Sequence, residues 1–446
     1  MRLSFVGLGH LGLSLSSCFA SKGHEVIGMD TDADKVVMIN SGKLPTYETS
    51  LQDLLAKVVG DGSLRCTAEI EEAVLGSEIT FVTVSTPSLR SGGVDLRSVR
   101  TAAKNIGGTL RGKHGYHLVV ISSTVTPGTS ESVVQPIVEK FSGKCIGKDF
   151  GLCMNPHFLK QGSAVHDIFH PHLVVIGEHD RRSGNRLRLL YKSLFDEMVP
   201  ITRVNLRTAE MIKYANNAFL ATKISFINTM ANICERIGNV DVVDVAKAIG
   251  ADPRIGPHFL KAGVGFGGSC LPKDLRALTA FAEKHGYSGT LLKAVSKVNE
   301  NQSRRAYELA GKALGTPSGK QIAILGLAFK AGTDDTREAP SIRLIKQFMK
   351  GGSKVKAYDP VAMEDARSIL PEVTYAESAM GCLERADCCV IVTEWNEFSK
   401  IRPEDLKSRM RTPILIDGRR ICDPKTFSKK LRYIAIGFNK NSRLYV

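Results

Sequence analysis

Three glycines spaced as Gly7-Leu-Gly9-His-Leu-Gly12 separate an apolar run at 2–8 (Arg-Leu-Ser-Phe-Val-Gly-Leu) from a helix-like stretch at 10–22. A second apolar run at 25–30 (Glu-Val-Ile-Gly-Met-Asp) follows and ends in Asp30, so the segment predicts a strand, a helix and a parallel strand. Gly7 suits a tight turn, Gly9 lets a pyrophosphate approach the backbone, and Gly12 lets helix and strand lie close, while the helix N-terminus offers oriented N–H donors. A lone glycine pattern is often a mere turn; strand, helix and terminal acid together make it a dinucleotide site. Asp30 is expected to bind the adenine ribose hydroxyls, and its charge opposes a 2′-phosphate. The expected cofactor is therefore NAD rather than NADP, a preference that Lys35 nearby softens.

Further apolar runs at 79–84, 117–122 and 172–177 alternate with helical stretches, as a parallel doubly wound sheet requires, and place a first domain at 1–200. No Pro or Gly interrupts the chain from Asn205 until Gly238, and Phe219, Phe226, Met230, Ile233 and Ile237 recur at helical spacing. One long helix is predicted, ending at Gly238. Helical pattern continues to about residue 312, broken by a glycine-rich stretch at 263–268, giving a helical middle domain at 201–312. Long connecting helices of this kind often build a dimer interface, and a homodimer is expected. After the Gly315–Gly319 turn, strand-like runs return at 321–326, 354–358, 388–393, 413–417 and 432–436. The third domain, 313–446, begins like the first but lacks the three-glycine pattern, so a different nucleotide is expected there. The fold class is α/β: two doubly wound, Rossmann-like parallel-sheet domains joined by a long central helix and a helical middle domain.

Composition excludes several alternatives. With 446 residues, 43% hydrophobic and 24% charged, the chain can bury large cores and is not disordered. Its formal charge of +15 is spread without dense basic runs or aromatic interleaving, which reads as a solvated basic surface rather than a nucleic-acid partner site. The ten cysteines follow no framework spacing and include no CxxC pair, a reduced pattern that points to the cytoplasm. The first residues superficially resemble a secretory leader, but glycines and His10 interrupt the apolar run. No run approaches the roughly 20 residues of a membrane span. His166, His170 and His172 match no common zinc spacing, so no metal is expected. Cys388-Cys389 falls in a predicted buried strand, where neighbours face opposite ways and pack as core.

The decapeptide Gly265-Phe-Gly267-Gly268-Ser-Cys270-Leu-Pro272-Lys273-Asp274 is the most informative in the chain. Its glycines let backbone wrap a ligand, and Pro272 suits the first turn of a helix, which puts Cys270 at a helix N-terminus. The dipole there and Lys273 are expected to favour the thiolate; a single cysteine without such neighbours is more often an inert core residue. Lys213 and Asn217 lie four apart on the long helix, so an ammonium and an amide share one face, suited either to stabilising an oxyanion or to simple solvation.

These segments, with Ser85-Thr86-Pro87, Ser123-Thr124-Val-Thr-Pro127-Gly128-Thr129, Lys213-Tyr-Ala-Asn-Asn217-Ala-Phe, Gly326-Leu-Ala-Phe329-Lys330 through Arg337 and Asp417-Gly418-Arg419-Arg420, make the chain resemble the UDP-glucose and GDP-mannose dehydrogenase family over essentially its whole length. The resemblance implies oxidation of a nucleotide-sugar C6 alcohol to a uronic acid by two NAD, through a thioester on the cysteine. It implies that Cys270 is the nucleophile, that Lys213 polarises the reacting oxygen, and that Asn217, Asp274 and Thr124 orient the oxyanion and the water. It also implies a cofactor site of Gly7, Gly9, Gly12, Asp30, Lys35, Ser85, Thr86, Thr124 and Arg337. The implied sugar-nucleotide site comprises Phe158, Leu159, Lys213, Asn217, Arg254, Phe259, Phe266, Gly267, Phe329, Lys330 and Arg419. The loop from Arg254 to Phe266 resembles that of UDP-glucose enzymes, in which the arginine reaches a neighbouring subunit, so UDP-glucose is the favoured substrate; GDP-mannose or another UDP-sugar is the alternative. One departure stands out. Where the family pattern has two acidic residues, this chain has His157 and Gln161 in Asn155-Pro-His-Phe158-Leu159-Lys-Gln161. A neutral His157 could act as general base; the alternative is a nucleotide-sugar binder with impaired thioester hydrolysis.

Overall fold

A computed structural model describes residues 1–195 and 199–439. The chain divides into two compact units, the first Met1–Asn216 and the second beginning at Asn217. Strands of the first unit are β1 (Arg2–Val6), β2 (Glu25–Met29), β3 (Leu64–Thr67), β4 (Ile79–Val82), β5 (His117–Ile121), β6 (Phe150–Met154), β7 (Val174–Glu178) and β8 (Ile201–Asn205). They form one sheet in the order β3-β2-β1-β4-β5-β6-β7-β8. The order turns back between β1 and β4, the switch point at which open α/β sheets hold ligands. Alternate residues feed two cores. Phe5, Val26, Phe81, Leu118 and Val120 pack on one face, while Val6, Ile27, Val82, Val119 and Ile121 pack on the other. Burial on both faces explains why these strands read as continuous apolar runs.

The second unit holds β9 (Val240–Asp241), β10 (Gln321–Leu325), β11 (Lys354–Tyr358), β12 (Thr374–Tyr375), β13 (Cys388–Ile391), β14 (Ile414–Asp417), β15 (Arg432–Ala435) and β16 (Phe438–Asn439), ordered β12-β11-β10-β13-β14-β15-β16-β9. As expected of a buried strand, Cys388 and Cys389 enter opposite cores. The predicted long helix runs Leu206–Ile237 and stops at Gly238, whose φ of 67° suits glycine. The helical segment does not stand apart from the second sheet: Ile227, Ala231 and Cys234 share a core with Ile322, Ile324 and Val390.

Both sheets are predominantly parallel, as expected from the sequence, with antiparallel pairs at a few positions. β7 runs antiparallel to β6, and β16 runs antiparallel to both β15 and β9. The β6–β7 connection places a helix (Ala164–Phe169) and the segment 155–163 before the returning strand. No helix among the described residues is long and apolar enough to cross a membrane.

Candidate functional site

In the first unit the glycine turn has the geometry a dinucleotide needs. Gly7 has φ +100°, and a Cβ there would lie 2.9 Å from the Val84 backbone, so both conformation and space demand glycine. A Cβ on Gly12 would overlap the Gly7 carbonyl oxygen, whereas one on Gly9 would meet nothing within 4 Å. The approach over the helix His10–Ser21 is thus open where a pyrophosphate would come near, and NAD fits this turn. Asp30 accepts the Leu8 amide at 2.8 Å and keeps 12% of its side chain exposed. Lys35 pairs with it at 3.1 Å and offsets part of its charge. Ser85 is exposed, and Thr86 donates to the Thr124 carbonyl at 2.9 Å, which joins two of the expected cofactor segments.

Lys213 donates to the His157 carbonyl at 2.5 Å and its Nζ lies 5.4 Å from the centroid of the Phe158 ring. Leu159 packs against one core of this unit. The imidazole Nε2 of His157 is buried and makes no hydrogen bond, and burial together with the Lys213 charge pushes its pKa down to about 3. The ring is therefore neutral at physiological pH, as the sequence reading assumed, but it is a weaker base than an ordinary histidine. A residue missed by sequence reading anchors this segment: the buried carboxylate of Glu48 accepts the amides of Gly162 and Ala164 at 2.8 and 3.0 Å, and bonds His10 Nε2 at 2.5 Å. His10 belongs to the glycine turn itself. A lone glutamate in a loop 38 residues away carries no local signal of that role.

In the second unit Cys270 is the N-cap of the helix Leu271–Lys284, with Pro272 in its first turn, as expected. It is exposed. Eight of the ten cysteines are buried, and only Cys145 shares its exposure. Lys273 is turned to Asp274 at 2.6 Å rather than standing free beside the thiol. Asp274 is 1% exposed and also accepts from Asn217 Nδ2 at 2.6 Å, so two predicted site residues are in direct contact. The Arg337 carbonyl accepts the Gly268 amide at 2.9 Å, and its guanidinium is held by Asp335 at 2.7 Å. The guanidinium pKa is raised, chiefly because it donates to the Asp335 carboxylate.

The glycine-rich stretch before Cys270 is pinned by buried amides that sequence reading missed. Asn299 bonds both backbone groups of Phe266, at 2.7 and 3.0 Å; Gln302 donates to Gly263 and Asn228 accepts from it. A Cβ at Gly268 would strike the Phe329 ring at 2.9 Å, and one at Gly267 the Glu338 carbonyl at 2.5 Å. Arg419 donates to the carbonyls of Val392, Gly265 and Phe329. Lys330 lies 5.9 Å from the Phe329 ring. Cys270, Phe266, Gly267, Phe329, Arg337 and Arg419 are thereby drawn into one network of loops. Arg254 is not part of it: its exposed guanidinium pairs with Asp252 at 2.6 Å. Phe259 holds a φ of +64° in the same outlying loop.

Comparison with known proteins adds three matches in register with these elements. Models of the UDP-glucose/GDP-mannose dehydrogenase family cover residues 1–195 (NAD binding domain), 207–301 (central domain) and 323–424 (UDP binding domain). A UDP-glucose 6-dehydrogenase of Haloferax volcanii is 43% identical over 94% of this chain and 97% of its own, and one of Bacillus subtilis is 42% identical over 94% and 89%. The structure of a UDP-glucose dehydrogenase from Pyrobaculum islandicum superposes with a TM-score of 0.91 at 37% identity, covering 98% of each chain.

Proposed function

Because the chain belongs to the UDP-glucose/GDP-mannose dehydrogenase family, we propose that it oxidises the C6 alcohol of UDP-glucose to the carboxylate, with a covalent stage on Cys270. The observation that carries this reading is the placement of Cys270: an exposed thiol at a helix N-terminus, behind a glycine-rich wrap, beside the Asn217–Asp274 pair. NAD supplies the acceptor for both hydrides. The sulfur of Cys270 adds to the aldehyde carbon left by the first oxidation, and the thiohemiacetal becomes a thioester when its C–H hydride departs and its hydroxyl proton is lost. Water then cleaves the C–S bond, giving the carboxylate and restoring the thiol. The sum is one alcohol, two NAD and one water converted to one carboxylate, two NADH and three protons. Lys213 Nζ is suited to polarise the reacting oxygen, and Asn217 with Asp274 to orient the water. UDP-glucose should release two NADH per sugar at neutral pH, read by absorbance; one NADH per sugar, or no release, would contradict the assignment.

A second reading is favoured by His157. With no carboxylate at positions 157 and 161 and a weakly basic imidazole, hydrolysis is the step most exposed to loss, and the protein would stall as the thioester. A single burst of NADH followed by slow turnover distinguishes that outcome.

The working form is a homodimer in this reading. Phe219, Phe226 and Ile233 recur every seventh residue on the long helix and, with Ile237, are 66%, 49%, 46% and 61% exposed, an apolar stripe that a second copy of the chain would cover. Light scattering should give twice the chain mass, and Phe226→Glu a monomer. The free cysteines suit the reducing cytoplasm, where we place the protein.

A further inference from the structure

Glu210 lies three residues before Lys213 on the long helix and is fully buried, 0% exposed. Its Oε2 accepts the amide of Gly128 at 2.5 Å and its Oε1 the amide of Ser130 at 2.8 Å. Burial raises its pKa above the usual carboxylate range, and the bonds from Ser130 and Gly128 draw it back. Arg207, one turn earlier on the same helix, is committed to Glu131 at 2.6 Å.

Burying a carboxylate costs several kcal/mol unless charge-assisted bonds offset it, so capping alone is a poor reason to keep one here. What a carboxylate uniquely supplies is two acceptor oxygens for two N–H groups of one turn. A glutamine offers one acceptor and turns an N–H₂ toward the other donor. The gripped segment is Thr124–Ser130, its turn closed by the Thr129 amide and hydroxyl donating to the Thr126 carbonyl at 3.1 and 2.6 Å, and joined to Thr86 through the Thr124 carbonyl. Residues three apart share a helix face, and on that face Lys213 holds the His157 carbonyl at 2.5 Å. One rigid helix therefore registers both segments, 124–130 by Glu210 and 155–158 by Lys213.

We propose that Glu210 is a positioning residue of the dehydrogenase, fixing the Thr124–Ser130 segment in register with Lys213; this rests on the reading of the chain as a nucleotide-sugar dehydrogenase. The test compares wild type, Glu210→Gln, Glu210→Asp and Glu235→Gln, the last removing a buried carboxylate that pairs with Arg305 and lies outside the network above. Steady-state NADH formation is measured with whichever UDP- or GDP-sugar the wild type oxidises best, alongside amide exchange over residues 124–132. Glu210→Gln should exchange faster there and lose about 10- to 100-fold in kcat, since displacement by about 1 Å is enough for such a loss. Its sugar KM should stay within about threefold, Glu210→Asp should recover part of the rate, and Glu235→Gln should keep kcat within about twofold. Faster exchange in Glu210→Gln with kcat within about twofold of wild type overturns the proposal, as does an equal kcat loss in Glu235→Gln. If wild type oxidises another sugar but not UDP-glucose, the substrate assignment fails and the Glu210 result stands on that sugar. If it oxidises none, the dehydrogenase reading and this inference fall together.

Discussion

The first strand-turn of each sheet begins alike and ends differently. Gly7 after β1 has φ +100° and Gly326 after β10 has φ +101°; the next amide donates to an aspartate at the end of the neighbouring strand, Leu8 to Asp30 at 2.8 Å and Leu327 to Asp359 at 2.7 Å. Strand orders match outward from that turn, β3-β2-β1-β4-β5 against β12-β11-β10-β13-β14. In the first unit the aspartate stays partly exposed, and the turn runs directly into a helix whose amides are open. In the second, Asp359 is 0% exposed and accepts from Leu327, Ala328, Val361, Ala362 and the Trp395 indole. The same backbone device leaves Asp30 partly exposed, as the proposed ribose contact needs, and becomes a structural lock at Asp359, where the acceptor sites are filled from within the chain. With its turn sealed, the second unit presents its exposed thiol elsewhere, on the glycine-rich wrap ending at Cys270.

This contrast can be broken at several points. The largest effect is expected at the wrap: Cys270→Ala should lower uronate formation by roughly 10³-fold or more while leaving NAD affinity, measured by calorimetry, unchanged. Asp359→Asn should cost about 3 kcal/mol in urea unfolding, because an amide cannot satisfy the donors that converge there, again with NAD affinity intact. Asp30→Asn should do the reverse, weakening NAD about tenfold with little change in unfolding midpoint, since the amide oxygen can still accept the Leu8 amide while the charge offered to the ribose is lost. Equal effects of the two aspartates on both measurements would dissolve the distinction. A smaller, pH-dependent effect belongs to His157. Its folded pKa of about 3 lies below the ordinary unfolded value, so only the unfolded chain takes up a proton as pH falls through about 6.5, and stability drops from there toward pH 3. His157→Asn should flatten that slope by up to about 1.4 kcal/mol per pH unit, measured by urea unfolding across the acid range. Lys35→Ala should have the smallest effect, raising the ratio of NAD to NADP affinity by about two- to threefold.

Much of this was legible in the residues. The runs around β1, β2, β4, β5 and β10 are apolar on both faces, and the long helix stands out because nothing breaks it before Gly238. Strand β6, Phe150–Met154, went unread although it has the length of β1 and β2 and follows the turn glycines Gly143 and Gly147; five residues with a glycine second in the run leave a weak apolar signal. The antiparallel return of β7 was hidden for a different reason, since strand direction is set by the path of the connection and leaves no trace in composition. Cys270 and the Lys213–Asn217 pair were legible as candidates because a glycine-rich context and helix spacing are local signals, whereas a role for Asp274 came from the family resemblance. Glu48, Glu210, Asn228, Asn299 and Gln302 were not, because each acts on backbone far away in sequence and nothing beside it announces a partner.

Covalent capture by Cys270 is the claim on which the rest depends, and rapid quenching followed by mass spectrometry of the Cys270 peptide tests it directly. With UDP-glucose and NAD, the wild-type peptide should carry the sugar nucleotide as a base-labile acyl adduct during turnover. An unmodified peptide at every quench time, in protein that is steadily making the uronic acid, would contradict the account.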